Sequence, residues 1–141
     1  MQFDPRRMRP AECSALVAAA LLAVALFEPW FELSGVRHDA WSAVTATAVL
    51  GALSAAGGLI LVAVTATRRS PSLPLAAAVF TVVLALASTV LIAVGAASPP
   101  ALASARCFGL WLGLAGSLGV LLSAWFSLRD ERPFWGVPVS R

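Results

Sequence analysis

The chain has 141 residues and a formal net charge of +3; 60% of it is hydrophobic and 12% charged. Soluble domains carry about 25% charged residues, so in water this chain would present apolar patches larger than soluble monomers tolerate. The positive balance does not indicate a nucleic-acid partner, because all ten basic residues are Arg and they stand at the ends of apolar segments rather than along one face.

In chain order, residues 1–12 form a short polar head with Arg6, Arg7 and Arg9, followed by an apolar run that opens at Cys13. A basic head before an apolar run also describes a secretory signal. Here the run ends in Phe27-Glu28-Pro29-Trp30-Phe31 instead of a small-x-small cleavage site, so an uncleaved helix over 13–31 is expected. Ser34-Gly35 marks a turn, and Asp39 is placed to cap the next helix. That helix is expected over 40–67, 28 residues without a charge, a Pro or an amide side chain. About 20 such residues cross a bilayer core, and a length of about 40 Å implies tilt or protrusion. Arg68-Arg69-Ser70-Pro71-Ser72 is a second turn before a helix over 73–97, which Ser98-Pro99-Pro100 ends. Ser104 is the expected cap of a last helix over 105–128, and the tail 129–141 holds Pro133 and Pro138.

The Arg residues orient these segments. Arg6, Arg7, Arg9, Arg68, Arg69, Arg129, Arg132 and Arg141 lie in the head, the middle turn and the tail, while the other two connections hold only Arg37 and Arg106. Eight against two places both termini in the cytoplasm. Trp30, Trp41 and Trp111 then fall near the outer interface, and Trp125 and Trp135 near the inner one. The expectation is one all-α domain over 1–141, an integral membrane four-helix bundle of the cell membrane running up-down-up-down.

Small residues recur every fourth position, as Gly109, Gly113 and Ser117 in the last helix and Thr47, Gly51 and Ala55 in the second. Such rows let helix backbones approach closely where lipid supplies no hydrophobic drive. Gly109, Gly113, Ser117, Gly51 and Ala55 are therefore the candidate packing residues. With Arg37, the residues Glu28, Glu32, His38, Asp39 and Arg106 form a candidate outer polar cluster, in which Arg106 is the natural partner of Glu28. Cys13 at the inner end of the first segment and Cys107 at the outer end of the last fall on opposite sides of the membrane in this topology and are expected to be unpaired.

His38 is the single histidine, and the cores of the apolar segments hold no ionisable group apart from thiols. A nucleophile and its base cannot meet there, so no catalysis, cofactor or metal is expected. Small four-helix multidrug exporters have a comparable length, but they carry a carboxylate near the middle of their first helix, where this chain has residues 18–25 without one. The Pro29-Trp30-Phe31 exit, the Arg68-Arg69 turn and Gly109-Leu110-Trp111-Leu112-Gly113 leading to Trp125-Phe126-Ser127-Leu128-Arg129-Asp130-Glu131 resemble small four-helix integral membrane proteins of actinobacterial type. That resemblance implies a fold and no activity. The expected role is that of a structural or accessory protein, or a subunit of a membrane assembly. Its expected partners are the lipid bilayer and itself or another membrane protein, with no nucleic acid. Two alternatives are a small transporter or channel component using the Glu28/Arg106 region, and an envelope sensor with its tail as output.

Overall fold

The first apolar run does not stay helical as far as the sequence suggests. In the computed structural model, which describes residues 10–66 and 72–130, helix α1 covers Pro10–Ala25. Its last bonds tighten, with the Phe27 and Glu28 amides donating to the Val24 and Ala25 carbonyls at 3.0 and 3.3 Å. Pro29 then lacks an amide hydrogen and disfavours helical backbone at Glu28. The chain leaves as strand β1 (Pro29–Leu33), so Trp30 and Phe31, expected in the helix, stand in a strand. Aromatic residues fit a pleated surface well.

Strand β2 (Val36–Asp39) returns antiparallel to β1 after a turn at Ser34 and Gly35, whose φ angles are 52° and 81°. Positive φ at both central residues is the two-residue hairpin turn whose twist matches that of strands, and it favours glycine. The other neighbour of β1 comes from the far part of the chain. Strand β3 (Ala103–Arg106) pairs antiparallel with it, giving a three-stranded sheet in the order β2-β1-β3. Ser104, the expected helix cap, is in this strand, and its hydroxyl donates to the Glu32 carbonyl at 3.0 Å. The chain is mostly helical, as expected for its class, and the sheet is an addition that the hydropathy pattern does not announce.

Asp39 caps helix α2 (Ala40–Ala43) as expected, but the long helix after it is interrupted. Val44 takes φ −147° and ψ 67°, and helix α3 runs over Thr45–Ala66. The break removes main-chain bonds, and the Thr45 hydroxyl donates to the Trp41 carbonyl at 2.8 Å in their place. Helix α4 covers Ser72–Ala97, and helix α5 covers Phe108–Asp130, three residues later than expected. The Arg68-Arg69 turn and the tail beyond Asp130 lie outside the described residues. Three stretches, Thr45–Thr65, Leu75–Ala97 and Phe108–Arg129, are long and apolar enough to cross a membrane; Cys13–Ala25 is a shorter apolar helix.

Helix α1 packs on α3 and α5, and α4 packs on the same two helices from its own side. Ser14 meets Ser123 at 2.9 Å, Ala18 faces Gly119 and Leu22 faces Gly116, so α1 and α5 run antiparallel. Gly51 faces Ser88 and Gly57 faces Thr81, which sets α3 and α4 antiparallel as well. The buried side chains are mainly small, including Ala15, Ala18, Ala19, Ala48, Ala55, Ala78, Ala85 and Ala124. Many of the large ones point outward, and Val17, Ile60, Phe80, Val83, Val94, Leu122 and Phe126 are all exposed, while Leu22, Leu61, Ile92 and Leu110 are buried among the small residues. Several buried hydroxyls return to their own helix, as Ser54 to the Leu50 carbonyl, Thr81 to Ala77 and Thr65 to Leu61, while that of Ser88 has no partner among the described residues. An unpaired polar group would be costly in this setting.

At Gly116 the main chain of α1 comes close to α5. A Cβ there would stand 2.8 Å from the Leu22 amide nitrogen and 2.9 Å from its Cα, and main chain cannot yield as a flexible side chain can. Gly116→Ala gains about 1 kcal/mol of helix propensity but forces α1 away from α5, an overpacking cost of about 1–3 kcal/mol. Thermal unfolding in detergent is expected to place Gly116→Ala below wild type. An unchanged or raised midpoint would mean that α1 does not lie this close to α5.

Candidate functional site: the strand cap

The sheet gathers the expected polar residues at one end of the helices, and each takes a defined place. Glu28 is exposed in the turn before β1. Glu32 stands on β1 opposite Arg37 of β2 on one side and Ala105 of β3 on the other. An opposite-charge pair directly across an antiparallel ladder supports the pairing. His38 and Arg106 both stand opposite Phe31, from β2 and β3 respectively. Arg106 is not engaged with Glu28 as expected: its Nη2 donates to the Ala97 carbonyl at the end of α4, at 3.4 Å. A cation at a helix C-terminus meets the negative end of the helix dipole, and the last carbonyls there lack partners within the helix.

Asp39 is the most tightly engaged of the cluster. Its Oδ1 accepts from the Ser42 hydroxyl at 2.6 Å and from the Ser42 amide at 2.9 Å. The Ser42 hydroxyl first, and then the Ser42 amide, hold the Asp39 carboxyl below its ordinary pKa. Hydrogen bonds to the charged form have this sign. Among the described residues, no group of three or more His, Cys, Asp or Glu side chains could hold a metal ion. Cys13 and Cys107 are both free, the first exposed on α1 and the second beside the cap, where its amide donates to the Trp30 carbonyl at 2.8 Å.

The residue that organises the cap is one the sequence assigns to an interfacial belt. Trp30 is 1% exposed. Its indole N–H donates to the Ala25 carbonyl at 2.6 Å, a second and shorter bond to the carbonyl that also accepts from the Glu28 amide at 3.3 Å. Its ring lies over Gly113, where a Cβ would be 2.8 Å from Cζ2. Gly109 does the same for the main chain just before it, since a Cβ there would be 2.7 Å from the Pro29 carbonyl oxygen. Phe31 is fully buried, with its ring edge toward Gly95 of α4. Trp41 pairs its ring with Phe27 at 6.3 Å, and Trp111, on α5 between the two glycines, is 52% exposed.

The two glycines of the expected Gly109/Gly113/Ser117 row therefore face the cap rather than a neighbouring helix. Ser117 is buried and its hydroxyl donates to the Leu114 carbonyl at 3.1 Å. The contact with α1 falls on Gly116 and Gly119 instead, which a strict four-residue spacing passes over. The steps 109, 113, 116 and 120 follow the 4-3-4 rhythm of a helix face and would have found Gly116. Gly51 and Ala55 are buried on α3, with Gly51 against a Leu26 methyl. Chemically, the cap is a set of polar groups already used by the fold: Asp39 on Ser42, Ser104 on Glu32, Arg106 on Ala97.

Asp39 gives the cap a pH dependence of known sign. A carboxyl with a lowered folded pKa adds stability that is present above its unfolded value, about 3.9, and is lost as pH falls through the folded value. The difference in stability between wild type and Asp39→Ala is therefore expected to be constant from neutral pH to about pH 5 and to shrink below about pH 4. Unfolding midpoints of both proteins across that range measure it, and a gap that widens on acidification would contradict the capping role.

Compared with protein-family models, with curated proteins and with solved structures, the chain matches none.

Proposed function

We propose that this chain is a non-catalytic integral protein of the cell membrane, acting as a structural or accessory element or as a subunit of a membrane assembly. In this reading α1, α3, α4 and α5 cross the bilayer up-down-up-down, with both termini in the cytoplasm and the strand cap outside. Three helices long and apolar enough to cross support it, as does the outward display of their large apolar side chains. The pairing of β1 with β3 brings the two Arg-poor connections to the same end, in keeping with the charge asymmetry. The shorter α1, about 24 Å at 1.5 Å per residue, reaches headgroup depth through the Trp30 segment that follows it.

The observation that carries the accessory role is the burial of Trp30 and Phe31 at the end of the bundle. A ring packed on Gly113 and hydrogen-bonded to Ala25 is part of the fold's framework. The partner of such a protein is another membrane chain or a second copy of itself, met through the bilayer or at the cap.

Three experiments test the proposal. Reporter fusions at Arg141 and Pro100 are expected to give cytoplasmic and external signals respectively; an external signal from the Arg141 fusion would overturn the orientation. In liposomes, the purified protein alone is expected to move neither protons nor organic cations, and in native membranes it is expected to co-purify with a stoichiometric partner or with itself. A proton-coupled flux abolished by Glu28→Gln would replace this reading with that of a transporter.

A further inference from the structure

We draw no further inference here: the strongest candidate, the open edge of strand β3 (Ala103–Arg106) between the exposed side chains of Leu102 and Phe108, carries nothing because nothing in the structure shows what covers it.

Discussion

The seating of Trp30 on α5 is the contact on which the arrangement depends. Helix α1 has 16 residues, and its length of about 24 Å falls short of a hydrocarbon core of about 30 Å. Its terminal carbonyls also need donors. Trp30 adds its indole N–H to that of Glu28 on the Ala25 carbonyl and anchors the end of α1 to Gly113 in the same step. From that point the chain enters β1, which holds β2 on one edge and β3 on the other, so the α1 exit, the hairpin and the entry to α5 are tied together. The Trp30 carbonyl completes the tie by accepting from the Cys107 amide, one residue before α5 begins.

That anchor requires α5 to be smooth on one side. Gly109 and Gly113 make room for the Trp30 segment, and Gly116 and Gly119 make room for the body of α1. The rest of the interior follows the same logic with Ala, Ser and Thr in place of Gly. Where lipid removes the drive to bury large apolar side chains, helices gain by approaching closely and making many dispersion contacts. Ser54 and Thr81 are buried with their hydroxyls bonded to carbonyls of their own helices, the Ser123 hydroxyl meets that of Ser14 on α1, and the buried Ser88 hydroxyl has no partner among the described residues.

The sequence makes some of this legible and hides the rest for physical reasons. Long apolar runs reveal the three helices long and apolar enough to cross a membrane, and local chemistry reveals the Ser34-Gly35 turn and the Asp39 cap, because the residues responsible sit where they act. Strand β3 is different: Ala-Ser-Ala-Arg has no strand preference of its own, and it is extended because β1, some seventy residues earlier, pairs with it. Trp30 reads as an interfacial ring because an indole suits both headgroups and a packed corner, and only the glycine opposite it on α5 decides between them. The break at Val44 has no Pro or Gly to announce it, and the Thr45 hydroxyl that compensates it is an ordinary feature of apolar helices. The Glu28–Arg106 pairing failed for a similar reason: the end of α4 offers the guanidinium a carbonyl that no linear reading places within its reach.

The most direct test compares Trp30→Ala with Trp111→Ala by thermal unfolding of the full chain in detergent, followed by circular dichroism. Removing a buried Trp side chain typically costs about 3–5 kcal/mol, whereas an exposed one away from special contacts costs about 0.5 kcal/mol or less. Trp30→Ala is expected to lower the midpoint far more than Trp111→Ala. Equal losses, or a larger loss for Trp111→Ala, would contradict the anchoring of α1 and the sheet through Trp30.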